Sequence, residues 1–148
     1  MILTLKGPSA LSEFRTQSLL RDLQRLCPAI RAITASYRHL IEADRPLEED
    51  ELGRLELVLD YGPQTEEPDG QLHRLVVPRL GTLTPWSTKA TDIAKHCRLD
   101  MIQRVERGIL FKIHLTTTLD EAVLKAVEAR LFDPMTQTLL PEDQVSQI

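Results

Sequence analysis

The sequence predicts an α+β fold: two βαβα-type halves forming a pseudo-dimer, with a mostly antiparallel sheet and helices packed on it. Three observations lead there. Apolar residues alternate at period two over residues 30–43 and again over 101–115. They recur at helical spacing in four other stretches. The order strand, helix, long strand, helix then occurs twice, at an offset of about 72 residues. Residue identities do not repeat clearly, so the duplication is one of pattern. A single half would expose an apolar sheet face and its helix stripes, and two halves packed together bury both.

Each element has its own cause. Ile2 to Leu5 is a short apolar run closed by Gly7 and Pro8, a strand and its stop. Ser9 is placed to cap a helix whose face carries Leu11, Phe14, Leu19, Leu20, Leu23 and Leu26, ending before Pro28. From Ile30 to Ala43, Ile33, Ala35, Tyr37, His39 and Ile41 alternate with a second, more polar set. A second helix starts near Glu48, where acidic residues suit the positive end of the dipole. Its stripe is Leu52, Leu55 and Leu59, and Gly62 and Pro63 end it.

Residues 63–71, PQTEEPDGQ, are loop by composition and divide the halves, about 1–62 and 72–134. The second half opens with a strand from Leu72 to Val77. Trp86, Ala90, Ile93, Ala94 and Cys97 share a helical face. Met101 to Leu115 is extended again, with Gly108 expected to bend or bulge it. Thr118 and Glu121 fit a capping box for a helix carrying Val123, Leu124, Val127 and Leu131. Residues 1–134 read as one domain, and 135–148, which lack periodicity, as a tail or linker.

Composition narrows the function. The chain has 148 residues, 42% hydrophobic and 27% charged, enough to bury a core without disulfides or metal. Net charge is -4, the wrong sign for a wholly electrostatic nucleic-acid binder. No apolar run approaches the ~20 residues of a membrane span, and no charged-then-apolar leader opens the sequence. Residues 1–70 hold 8 basic and 13 acidic side chains, and 71–148 hold 10 and 9, so the first half is the acidic one. Cys27 and Cys97 follow no CxxC spacing and read as free thiols of a reducing compartment. The histidines at 39, 73, 96 and 114 show no metal spacing, and no nucleophile motif of the GxSxG kind occurs. No catalytic residue and no cofactor are therefore expected in this chain.

Two clusters remain for binding. Pro78 to Asp92, PRLGTLTPWSTKATD, joins a strand to a helix start. Backbone N–H groups, hydroxyls and Lys89 there suit a phosphate or a carboxylate. The plainer alternative has Ser87 capping the helix, Pro85 shaping the turn, Trp86 stapling it and Lys89 solvated. In the second cluster, Arg104 and Glu106 share one strand face and Arg107 the other. Those charges suit either docking against a partner or a solvated edge strand.

The stretch Pro78–Leu99, PRLGTLTPWSTKATDIAKHCRL, with Ile102–Gly108, IQRVERG, closely resembles the phosphoribosylformylglycinamidine synthase family in its long single-chain form. The opening strand, GPSALSEFR (Gly7–Arg15), YGP (Tyr61–Pro63) and Asp133–Met135 extend the likeness over nearly the full length. The family pattern reads PRPGTxSPWSSKATDIAxNCGL. Here Leu80 replaces a Pro, His96 and Arg98 replace Asn and Gly around Cys97, and Pro134 replaces an Arg. The lost Asn and Gly suggest a different turn after the helix.

The resemblance implies the N-terminal domain of an enzyme that converts formylglycinamide ribonucleotide, ATP and glutamine to the amidine in purine biosynthesis. It implies a cytoplasmic setting, and ATP and magnesium in the full-length protein. It also implies partners in the synthetase and glutaminase domains of the same polypeptide, toward which 135–148 would lead, with no nucleic acid and no membrane. The family's N-terminal domain is similar to a dimer of the small subunit of the multi-subunit enzyme, in keeping with two halves. On this reading Arg79, Thr82, Trp86, Ser87, Lys89 and Asp92 face the synthetase core, and Arg104, Glu106 and Arg107 flank them. Two other classes stay open: a small-ligand regulatory module with its site at the seam of the halves, and a free-standing scaffold acting in trans.

Overall fold

The computed structural model describes residues 2–62, 72–79 and 83–141. Nine elements follow in chain order: β1 (Ile2–Ser9), α1 (Glu13–Leu26), β2 (Ile30–Ala43), α2 (Glu49–Val58), β3 (Leu72–Pro78), α3 (Pro85–His96), β4 (Ile102–Leu115), α4 (Glu121–Ala129) and β5 (Gln137–Pro141). The strands form one antiparallel sheet in the order β1-β2-β4-β3-β5. The fold is α+β, as the alternation predicts.

The repeat is legible in the geometry. α1 and α3, β2 and β4, and α2 and α4 each start 72 residues apart. So do the helix caps: Ser12 matches Thr84, and Glu48 matches Asp120. Core positions obey the same shift. Ile30 and Ile102, Ile33 and Val105, Ile41 and Ile113, Leu55 and Val127, and Leu59 and Leu131 are all buried. β2 and β4 run side by side in the middle of the sheet, and Tyr37 pairs with Ile109, its own equivalent. The pseudo-twofold axis therefore passes between those two residues.

Odd-numbered residues of β2 and β4 face the helices. One apolar cluster, around Leu23, Ile30, Phe111, Ile113 and Val127, lies under α1 and α4. A second, around Ile41, Leu55, Ala94, Ile102 and Val105, lies under α2 and α3. Each cluster takes one helix from each half, so neither half buries its apolar stripe alone. Leu40, Leu75, Val77 and Leu110 form a third cluster on the opposite face. Arg74 of β3 pairs with Glu128 of α4 at 2.7 Å, tying sheet to helix.

Several local expectations are corrected. Ser12, not Ser9, caps α1, accepting from the Arg15 N–H at 3.2 Å. Asp120, not Thr118, caps α4. α2 stops at Val58, before Gly62 and Pro63. Ile93 lies outside its helix's buried face and is largely exposed. Gly108 makes no bulge, since register shifts fall only at the two ends of the β2–β4 pairing. A Cβ there would lie 2.8 Å from the Val76 carbonyl oxygen, so glycine serves close packing of β3 on β4. Residues 137–141 are strand β5 rather than tail. The turn after α3 takes the left-handed form that glycine favours, with Arg98 at φ 63°.

Candidate functional site

Between the two helix-face clusters lies a patch of different composition. β2 contributes Tyr37 and His39, both on the helix side by strand alternation. β4 contributes Arg107, paired in register with His39. Tyr61 arrives just past the end of α2. Trp86 arrives on the first turn of α3, which Thr84 caps by accepting from the Ser87 N–H at 3.1 Å. Pro85 fits the first helical position because it lacks an N–H to satisfy there.

The Arg107 guanidinium stacks on aromatic faces. Its carbon lies 4.4 Å from the Tyr37 ring centroid and 4.6 Å from that of Trp86. Such contacts contribute about 0.5–2 kcal/mol each and fix the plane of the cation. Nη1 donates to the Tyr61 hydroxyl over a long 3.5 Å. The His39 ring stacks on Trp86 at 5.9 Å and 9°. His39 Nε2 lies 2.8 Å from the Tyr61 hydroxyl oxygen, while Nδ1 is buried without a partner. A Cβ on Gly7 would sit 2.6 Å from His39 Cε1, so only glycine lets β1 close over the ring.

Burial, with Arg107 and then Arg38 nearby, lowers the His39 pKa from 6.5 to about 4. His39 is thus neutral at pH 7. Burial also raises the Tyr61 phenol above its ordinary value, opposed by its hydrogen bond with Arg107.

The Glu106 carboxylate lies next to this patch and is 4% exposed. It accepts from the Thr84 hydroxyl at 3.1 Å, from Arg104 at 3.1 Å and from the Arg107 backbone N–H at 3.0 Å. A cleft of about 240 Å³ opens beside it, lined by Tyr37, Pro78, Thr84, Trp86, Arg107 and Gln137, among others. A larger cleft of about 670 Å³ runs between β1 and α2, past His39, Leu57 and Asp60.

The structure divides the sequence-derived site residues. Trp86, Glu106 and Arg107 come together at the cleft. Lys89 and Asp92 are exposed on α3, and Arg79 is exposed where β3 ends, its N–H donating to the Thr136 carbonyl at 3.1 Å. Thr82 lies outside the described residues. Ser87 does not cap α3. It is fully buried and donates to the Val105 carbonyl at 2.6 Å, pinning α3 to β4. Nor are Arg104 and Glu106 a solvated edge pair: β4 is an interior strand and Glu106 is buried.

Sequence reasoning missed Tyr37, His39 and Tyr61 as members of this cluster. The first two read as ordinary inward positions of a strand. Tyr61 was visible only through the YGP motif.

A duplicated α+β domain with all four helices on one sheet face and an arginine–aromatic seam beside its axis defines a class of domain. Within it the sequence places the chain: the family model for the formylglycinamide ribonucleotide amidotransferase N-terminal region matches residues 36–147. The chain belongs to that family, as the N-terminal domain of a phosphoribosylformylglycinamidine synthase of purine biosynthesis, and further domains of the same polypeptide go with it. Among the described residues, no group of three or more His, Cys, Asp or Glu is placed to hold a metal ion. No helix among them is long and apolar enough to cross a membrane.

Proposed function

We propose that this domain contributes contact surface and positioning to the synthase rather than bond-making. It bridges the synthetase and glutaminase parts and helps organise ammonia transfer between them. Holding the two in register keeps ammonia from escaping to water, an effect of proximity and sequestration. ATP and magnesium belong to the synthetase core in this reading, outside this chain.

One observation carries the proposal. Exposed apolar and charged side chains stand in the Pro78–Asp92 motif and in the turn into β5, two segments that the Arg79 N–H to Thr136 carbonyl bond joins at the end of β3. Leu83 and Met135 are 64% and 78% exposed, and Arg79 and Lys89 are solvated nearby in the chain. Apolar anchors among basic groups suit a protein contact.

The test is to join the domain to a synthetase core that lacks it, then introduce Trp86→Ala and Lys89→Ala. Assembly and glutamine-dependent turnover are expected to fall together. If neither moves, the proposal is wrong.

A further inference from the structure

We infer that the cleft beside Arg107 receives a carboxylate side chain, Asp or Glu, from the synthase domains this one docks against. The inference rests on the docking role proposed above and names its anchor.

Arg107 is a prepared but unspent donor. Tyr37 and Trp86 hold its guanidinium carbon over their rings at 4.4 and 4.6 Å, contacts that use none of its five N–H donors. The Tyr61 contact, at 3.5 Å, is at the limit of a hydrogen bond. Among the described residues no carboxylate forms an ion pair with this guanidinium. Glu106 also lines the cleft, but its carboxylate is already engaged, accepting from Thr84, Arg104 and the Arg107 backbone N–H, and it makes no ion pair with the Arg107 guanidinium.

The fold itself does not require a cation there. Under the 72-residue shift Arg107 corresponds to Ala35, which packs as an ordinary buried core residue. A half-buried guanidinium is therefore specific to this copy, held by ring contacts that the Ala35 side has no counterpart for. A planar, stacked arginine is the group best shaped for bidentate carboxylate recognition.

Size and charge favour a side chain over a free metabolite. The cleft is about 240 Å³, below the ~300–1,000 Å³ of small-molecule sites. Exposed Arg79 and Lys89, against the one exposed carboxylate of Asp92, leave the same motif net positive, matching an acidic segment on the partner.

Carbodiimide coupling in the full synthase polypeptide tests this. With R107K, the amine at position 107 is expected to form an amide with an Asp or Glu beyond residue 148, located by mass spectrometry. With R107M, which keeps an apolar chain between the rings, glutamine-dependent turnover is expected to fall about 10- to 100-fold. The thermal midpoint of R107M shows that the domain still folds, and the R107K coupling stands without it.

Absence of any cross-link from position 107 outside this domain, with R107M turning over normally, overturns the inference. If W86A still impairs turnover in that case, docking survives and only its anchor is wrong. Arg107-dependent binding of free succinate or phosphate, with no such cross-link, also overturns it, in favour of a small ligand.

Discussion

Two places on the sheet are related by the 72-residue shift, and their contents differ. At one, Arg107 lies among Tyr37, His39, Tyr61 and Trp86. At the other, the corresponding residues are Ala35, Ile109, Phe111, Asp133 and Phe14. There Ala35 and Phe111 are buried in the cluster under α1 and α4, with Ile109 packed against it. Phe14, the counterpart of Trp86, is 77% exposed and pairs with no ring among the described residues. The backbone and its caps repeat, while the chemistry does not. The paired strands, helices and caps are present in both copies, and the arginine–aromatic cluster is present in one. That asymmetry separates structural from functional demands without an alignment.

Substitutions at matched positions sharpen the contrast. The largest expected effect is at Gly108, whose counterpart is Ser36. A Cβ at 108 meets the Val76 carbonyl at 2.8 Å and Val77 Cγ1 at 2.9 Å. Gly108→Ser should therefore destabilise by about 3 kcal/mol, and Ser36→Gly by about 1 kcal/mol. Urea unfolding measures both.

Next come Trp86 and Phe14. Trp86→Ala removes two ring contacts and the stack on Arg107, and should cost about 2–3 kcal/mol. Phe14→Ala at the matched, exposed site should stay within about 0.5 kcal/mol. Equal losses would mean that the two sites are not as different as their packing indicates.

The third effect is of order 2 kcal/mol and depends on pH. His39 titrates near 4 in the fold against 6.5 when exposed, so between those values the unfolded chain binds more protons. Stability from this group is complete above pH 6.5 and is lost as pH falls toward 4, reduced in size by solvent screening. His39→Phe installs the residue found at the matched position, Phe111. It should flatten the stability profile in that window, read from thermal midpoints across pH.

Much of the fold was legible because two of its strands are long. Fourteen residues of alternation fixed β2 to its observed ends and β4 to within one residue. β5 was not legible: its five residues, TLL between Gln137 and Pro141, carry no alternation, and only pairing with β3 makes them a strand. Caps slipped by two or three positions because Ser9 and Ser12, Thr84 and Ser87, and Thr118 and Asp120 all offer a side-chain oxygen.

The site was half legible. Trp86 and Arg107 stood out by motif. The meeting of Arg107 with His39 depends on strand register, and that of Tyr61 with Trp86 on how α2 and α3 pack. Neither is written in local periodicity. Ser87 looked like a surface cap, and its burial follows from the path of α3 across β4.

Hydrogen exchange on this domain, alone and within the full synthase, tests directly whether one copy of the repeated site meets the rest of the enzyme. The account expects added protection over residues 83–92 and 104–107, with residues 10–16 around Phe14 unchanged. Protection centred on Phe14, or equal protection at both places, would contradict it.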